Sequence, residues 1–344
     1  MDDHKSGDQS TRPTTLKDVA NKAGVSAMAV SNALNNRGRI SAQTYEKIIK
    51  AAKELNYTPN QVAKSLRKSR TCTIGVVMSD ASHYVFAELL RGISHAASQK
   101  NYSVLLADTG GDPSAEEKMV QLLLSRRIDG LIMAAPSAVN QADIERLKAF
   151  NTPFVFLMRT SEFMDVEYIV NDNISGCYQG IKHLYETGSR EFIFITIDSS
   201  SGRDRIKGYR QYLDQQQLNF EDYYSINALP QIDSGYEAMK KILNKGYRHG
   251  TVCCGCDMIA IGAMDAIYEA NLSIPKDFRL FGYDDLEMAP YLRVPLSTVR
   301  QPFYEIGVEG FRVLINRIEN PDSPIQSVIL QPQLVIRQST DELQ

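Results

Sequence analysis

Apolar positions recur along this chain with two different periods. Between Thr15 and Leu55 they fall at helical spacing, with Leu16, Val19, Ala20 and Ala23 on one face and, further on, Ile48, Ala51, Ala52 and Leu55 on another. Thr15 can accept at an N-cap, with Asp18 three residues on as its acidic partner. Gly24 suits a left-handed C-cap, and Ser26 is placed to cap a second helix over Ala27–Asn35. A third helix is predicted over Thr44–Leu55. Two short helices joined by a tight glycine turn make a helix-turn-helix, and the third completes a small core.

From Thr73 the period changes. Short apolar runs, TIGVVM (73–78), SVLLA (103–107), GLIMAA (130–135), FVFL (154–157), FIFITI (192–197), VCC (252–254) and LFGY (280–283), alternate with helical patterns. Those patterns are Val85–Gln99, Glu116–Arg126, Ile174–Thr187, Arg205–Gln215, Tyr236–Leu243, Met258–Ala270 and Tyr304–Asn316. The alternation predicts βαβ units and an α/β body of parallel sheets, with strands covered on both faces. About 270 residues is large for one such sheet, so two lobes with a cleft are expected. The boundary is placed near Met158–Thr160, and PLSTVRQP (295–302) interrupts the pattern where the chain returns. Ligands of open α/β sheets bind beyond the carboxyl ends of the strands, which here would face the cleft.

Charge changes this picture more than composition does. With 43% apolar and 23% charged residues the chain is ordinary and globular, which excludes collagen-like, disordered and disulfide-scaffold classes. The net charge of −3 hides an asymmetry: residues 1–70 hold 13 Lys+Arg and 6 Asp+Glu, leaving that stretch at +7 and the remainder at −10. A basic head on an acidic body is the pattern of one small domain meeting a polyanion. Lys17, Lys22, Arg37 and Arg39 flank the second helix, where phosphates would lie.

Other chemistry is sparse. The polar segment Met1–Arg12 has no apolar core before the first periodic segment, no run approaches membrane-spanning length, and the five cysteines are odd in number. A cytoplasmic chain without a membrane partner is expected. There is no P-loop, no GxGxxG after a strand, no HExxH and no GxSxG. No enzyme, cofactor or metal site is therefore expected. Cys253, Cys254 and Cys256 invite a metal reading, but neighbours on a buried strand alternate faces, and no second pair stands at zinc spacing. Buried apolar thiols are the expectation.

Here a resemblance becomes specific. TLKDVANKAGVSAMAVSNALN (15–35) resembles the helix-turn-helix of the lactose-repressor (LacI/GalR) family of bacterial transcription regulators. ISAQTYEKIIKAAKELNYTPNQVAKSLRKSRTCTIGVV (40–77) continues it, with NYTPNQVAKSL similar to the family's linker. AELLRGISHAA (87–97), GRDRIKGY (202–209), GCDMIAIGAMDAI (255–267), FRLFGYDDLEMA (278–289), PLSTVRQP and LVIRQST (334–340) keep the family's order, so the resemblance spans Thr15 to about Thr340.

The resemblance implies an N-terminal three-helix helix-turn-helix DNA-binding domain with a hinge helix, then a two-lobed periplasmic-binding-protein-like, Rossmann-like effector domain. The layout expected is a flexible arm (1–12), the DNA-binding domain (13–57), hinge helix and linker (58–71), and an effector and dimerisation domain (72–344). Its first lobe would take about 72–158 and 303–330, its second about 159–298 and 331–344. Ala27, Met28 and Asn32 would meet base edges in the major groove. The first two offer only apolar contact, for instance to thymine methyls, whereas Asn32 can bond an adenine edge. Thr15, Lys17, Ser26, Ser31 and Arg37 would contact the DNA backbone. In the hinge, Pro59 suits a first helical position, and Val62, Ala63 and Leu66 form a face too narrow for a self-sufficient helix. By resemblance that helix folds against its dimer mate, with Leu66 wedged between base steps and Ala63 and Arg67 in the minor groove.

For the effector the resemblance points to Val85, Phe86, Arg159, Arg205, Cys256, Asp284 and Phe303. Two positions depart from the family's habit. Met158 stands where many members have an acidic ligand residue, and Cys256 where many have asparagine. An unusual sugar, a phosphorylated or more apolar ligand, or a protein partner gains weight accordingly. The expectation is a homodimeric repressor of double-stranded operator DNA, released or engaged by a small effector such as a sugar or sugar phosphate. The alternative is control by a non-sugar ligand or a protein partner. A binding protein without DNA function conflicts with the basic head, and a head-bearing enzyme with the missing motifs.

Overall fold

The computed structural model describes residues 14–34, 40–58, 70–134, 141–159 and 166–341, with the backbone alone for 141–143. The expected arm 1–12, Arg37 and the hinge residues Ala63, Leu66 and Arg67 lie outside the described residues. The chain divides into two compact units, residues 1–71 and 72–344.

In the first unit the caps act as their residue types require. Helix α1 (Leu16–Ala23) opens on a capping box: the Asp18 carboxylate accepts from the Thr15 amide at 2.8 Å, while Thr15 Oγ1 accepts from the Asp18 amide at 3.4 Å. Gly24 closes it at φ 65°. Helix α2 (Ala27–Leu34) follows, with Ser26 Oγ accepting from the Ala29 amide at 3.2 Å. Helix α3 runs Ala42–Glu54, so it starts two residues before the expected Thr44. The Ser41 hydroxyl caps it by accepting from the Thr44 amide at 3.2 Å, and its first turn carries no large apolar residue for periodicity to detect. Val19, Ala20, Val30, Ala33, Ile48, Ala51 and Ala52 close over one another as the core of this unit.

The second unit holds two parallel sheets. The first is built from β1 (Thr73–Met78), β2 (Ser103–Asp108), β3 (Gly130–Ala134), β4 (Phe154–Leu157), β5 (Glu167–Asn171) and, late in the chain, β11 (Ser327–Leu330), in the order β11-β5-β4-β3-β1-β2. Helices α4 (Tyr84–Gln99), α5 (Pro113–Ser125), α6 (Gln141–Ala149) and α11 (Phe303–Glu319) accompany it. The second sheet has the order β7-β6-β8-β9, from β6 (Phe192–Thr196), β7 (Tyr224–Asn227), β8 (Gly250–Cys254) and β9 (Phe278–Phe281). Helices α7 (Asn173–Glu186) and α8 (Ser200–Gln215) bury one of its faces, and α9 (Ile232–Asn244) and α10 (Asp257–Glu269) the other. Cys253 and Cys254 fall into opposite cores, as strand alternation demands. A short antiparallel pair, β10 (Thr298–Arg300) with β12 (Gln333–Val335), lies beside the second sheet.

Several expectations need correction. The chain does not leave the first lobe near Met158–Thr160, because β5 pairs with β4 and β11 in the first sheet. The crossing comes at Asn171–Asn173, so Arg159 and residues 166–171, assigned to the second lobe, belong to the first. Strand β5 escaped notice because Glu167, polar yet buried, interrupts its apolar run; the Arg317 guanidinium meets that carboxylate at 2.9 Å. Strand β7 alternates polar and half-buried residues and shows no apolar run, and α6 carries few apolar residues. Finally, β2 is not covered on both faces: it is the last strand of its sheet, and Leu105 and Leu106 are 38% and 44% exposed.

Helices α4 and α11 pack closely because two glycines let their backbones touch. A methyl on Gly92 would strike the Tyr304 carbonyl, and one on Gly307 the Leu89 carbonyl. Both helices are continuous, so neither backbone can step aside. Gly92→Ala is therefore expected to cost about 1–3 kcal/mol in urea denaturation, as overpacked sites do, despite alanine's better helix propensity; unchanged or raised stability would refute the close approach.

Candidate functional site

The first unit presents α2 with a divided character. Val30 and Ala33 face its core, and Ala27 packs half-buried against it. Met28 stands out at 74% exposed, an unusual position for a large apolar side chain and one open to a base edge. Asn32 and Ser31 are half-buried, and Lys17 and Thr15 are exposed. Lys22, expected among the phosphate-facing cations, is exposed and lies 2.8 Å from Glu54. The Thr15 hydroxyl is likewise engaged, donating to the Asp18 carboxylate at 2.7 Å.

In the second unit the site grows from one buried cation. Arg205 lies in α8 and is 7% exposed. Its Nε donates to Asn173 Oδ1 at 3.1 Å, and Nη1 donates to the Gly255 carbonyl at the carboxyl end of β8. Nη2 lies 3.8 Å from Asp284 Oδ1, and the guanidinium stacks over the Tyr283 ring at 3.8 Å. Burial alone would draw its pKa down, but Asp284 and the ring hold it above the ordinary arginine value. Burial conversely raises Asp284, against the opposing pull of Arg205 and of Gln301, whose Nε2 donates to Asp284 Oδ1 at 2.6 Å.

The loop after β9 is held in rarely populated backbone. Asp284 has φ 123° and Asp285 φ 57°, values that L-residues adopt only where neighbours impose them. Asp285 is gripped by Arg300 Nε at 2.6 Å and Arg337 Nη2 at 2.7 Å. Asp257, first in α10, accepts from the Leu286 amide at 2.9 Å and from Thr298 Oγ1 at 2.6 Å. Its carboxyl is wholly buried, and burial, then Asp284, push its pKa up to about 7.

The remaining expected residues are distributed less evenly. Phe303, first in α11, is 4% exposed and lines a cavity of about 370 Å³ with Tyr84, Asp284, Arg300 and Gln301. Arg159 follows β4, half-buried, in the first lobe. Val85 and Phe86 are packed at 6% and 9% exposed, and Phe86 belongs to the first lobe's core. Cys256 is 3% exposed within the second lobe's core, next to Gly255, whose carbonyl accepts from Arg205. Among the described residues no three or more His, Cys, Asp or Glu stand where they could share a metal ion, and no helix is long and apolar enough to cross a membrane.

This geometry has known counterparts. A family profile for bacterial regulatory proteins of the lacI family matches residues 15–60, and one for a periplasmic binding protein-like domain matches residues 181–340. A ribose operon repressor from Haemophilus influenzae is 32% identical over 94% of this chain and 98% of its own length. This chain belongs to the lacI family. A transcriptional repressor PurR, also from Haemophilus influenzae, is 28% identical over 96% of this chain and 99% of its own. The lac repressor dimer bound to operator and the anti-inducer ONPF superposes with a TM-score of 0.85 at 30% identity, covering 96% of this chain and 99% of that one. A LacI family regulator from Enterococcus faecium with bound ribose gives 0.70 at 26% identity, over 79% and 100%. This lacI-family chain is a DNA-binding, effector-controlled repressor, not an enzyme.

Sequence reasoning missed several partners in the repressor's second unit. Gln301 sits in PLSTVRQP, which periodicity treats only as an interruption. Asn173 and Tyr283 flank recognisable segments but show their roles only when Arg205 is placed between them. Asp257 looks like an ordinary first-turn acid. Only burial betrays it.

That burial has a measurable consequence. With a folded pKa of about 7 against 3.8 for the unfolded chain, native Asp257 holds a proton that the unfolded chain releases. Its contribution to stability is full below about pH 4 and is lost as pH rises through about 7. Asp257→Asn removes this dependence. Relative to the variant, the native repressor should lose about 1–3 kcal/mol between pH 4.5 and 7.5 in urea denaturation; parallel curves would refute the raised pKa.

Proposed function

We propose that this repressor takes its effector, a sugar or sugar derivative, between the two lobes of residues 72–344, and that occupancy is passed to the operator-binding unit through the lobe crossovers. The observation that carries the reading is one unbroken chain of contacts. Asn171, last in β5, donates from Nδ2 to the Tyr283 hydroxyl at 2.9 Å. Tyr283 underlies Arg205, Arg205 faces Asp284, and Gln301 ends the chain just before α11. The first crossover meets the third where Gln331 Nε2 donates to Asp172 Oδ2 at 3.1 Å. An effector oxygen bonded to Arg205 or Asp284 thus acts on groups tied to the connections between the lobes. Asn171 Oδ1, buried without a partner among the described residues, is an acceptor left for a ligand donor or water. The ribose named for the repressor relatives and for the Enterococcus faecium structure makes a pentose the first sugar to test.

On the DNA side, Ala27, Met28 and Asn32 are proposed as major-groove readers, a role favoured by the exposure of Met28. Thr15, Lys17, Ser26, Ser31 and Arg37 would position the phosphates, while Ala63, Leu66 and Arg67 would enter the minor groove. The operator-bound dimer among the structural neighbours supports a homodimer on a pseudo-palindromic operator, acting in the cytoplasm. The effector need only bind the two lobe arrangements unequally, and about 1–3 kcal/mol of coupling is typical.

Two outcomes follow. Arg205→Lys keeps the charge but loses the planar fork, so it should weaken the effector response at least about tenfold while operator gel-shifts in its absence stay unchanged; a normal response would remove Arg205 from the site. Leu66→Ala should weaken specific operator binding about tenfold or more, with non-specific binding little altered, because the wedge acts only on a bent site. Equal losses on both DNAs would refute the wedge.

A further inference from the structure

Oxidants attack sulfur first, and this chain places its sulfur unevenly. Cys177, Cys253, Cys254 and Cys256 are buried. Burial pushes the Cys177 and Cys256 thiols up to about 12 and raises those of Cys253 and Cys254 as well, so no reactive thiolate forms there. A thioether needs no ionisation, and its exposure sets how readily it is oxidised. Met78, Met133, Met239 and Met264 are buried, and Met119, Met158 and Met258 half-buried. Among the described residues two methionines stand open to water, Met28 at 74% and Met288 at 49%. Met288 lies in the loop after β9 of the second unit.

Met28 is the second residue of α2, and Val30 and Ala33, which that helix buries, follow it by two and five positions. At about 100° per residue its side chain leaves the helix on the side away from the core. An oxygen added there burdens neither the packing of the unit nor the Ser26 cap, which is made to the Ala29 amide. What changes is the surface offered to a base edge. The sulfoxide is polar where the thioether is apolar, and it accepts hydrogen bonds but donates none. A thymine methyl has nothing to give it, and the acceptors of the purine edges oppose it.

We propose that Met28 is a redox-sensitive contact: hydrogen peroxide converts it to the sulfoxide in the DNA-free repressor, and the oxidised repressor loses its grip on the operator. This rests on the reading of Met28 as a major-groove contact. In the step, the sulfur lone pair takes one oxygen from the peroxide, the O–O bond breaks and the other oxygen leaves as water. Sulfur is oxidised by two electrons and the peroxide reduced by two. A methionine sulfoxide reductase reverses the change with two thiols, which become a disulfide as water leaves. On the operator the base edges cover Met28, so the oxidant acts on the free repressor and release follows dissociation.

The test treats the full-length repressor with hydrogen peroxide, locates sulfoxides by peptide mass spectrometry and runs gel-shifts on two duplexes, an operator selected by the native chain from random sequence and a scrambled one. Met28 should oxidise at least about tenfold faster than Met78 and Met239, and the operator, not the scrambled duplex, should protect it. Operator affinity should fall at least about tenfold on oxidation, with scrambled-duplex binding little changed, and reductase treatment should restore it. Whatever operator affinity Met28→Leu has, peroxide should leave it unaltered, because the oxidisable sulfur is gone. Met288→Leu should bind as the native chain does and stay as sensitive. Oxidation of Met28 no faster than that of the buried methionines, an operator affinity unchanged by it, or an equal loss in Met28→Leu overturns the proposal. Met28→Ala separates the two readings. If it weakens operator binding and the sulfoxide does not, the redox proposal falls and the groove contact stands. If neither alters operator binding, the groove contact falls as well.

Discussion

A guanidinium without water must be met on every side, and Arg205 imposes that requirement on everything around it. Each of its contacts comes from a different segment: a side-chain carbonyl from Asn173, a backbone carbonyl from Gly255, a carboxylate from Asp284 and a ring face from Tyr283. No single βαβ unit could supply them. They converge only if the strands of the second sheet end together at the cleft and the chain crosses back beside them. Removing one partner would leave a buried charge poorly compensated, which is more costly than never having buried it.

The same requirement explains the unusual backbone after β9. Asp284 faces Arg205 from a positive φ, and the next residue shares the strain. Asp257, Arg300 and Arg337 then fasten the loop from three directions. Asp257 does so from full burial, where its proton is held to near neutrality. The strained loop, the raised carboxyl and the doubly held Asp285 are thus one device. Its loose end is Gln301, immediately before the helix that runs back into the first lobe.

What was legible in the sequence follows the physical source of each signal. Caps are local chemistry, so Thr15, Asp18, Gly24 and Ser26 could be assigned from their neighbours alone, and the structure shows each in that role. Apolar runs announce buried strands such as β1, β4 and β6. Strands whose burial depends on distant partners are silent: Glu167 is polar, and only Arg317, 150 positions later, makes its burial tolerable. That silence moved the lobe boundary. In the cleft, Arg205 and Asp284 stood out through their motif, whereas Gln301, Asn173 and Asp257 are defined by contacts between segments far apart in the chain. Cys256 stands in a motif through which the resemblance implies recognition, and the structure buries its side chain in the second lobe's core beside the carbonyl that accepts from Arg205.

The opposed charges of head and body acquire a sharper meaning from this arrangement. A body at −10 repels DNA, which confines polyanion binding to the basic head. Within the cleft, Arg205 is neutralised by Asp284 of the same lobe, and this pairing is independent of how the lobes stand. A pair balanced inside one lobe cannot by itself report lobe movement. A ligand that shifts the equilibrium must therefore bind the two arrangements unequally, through groups drawn from both lobes.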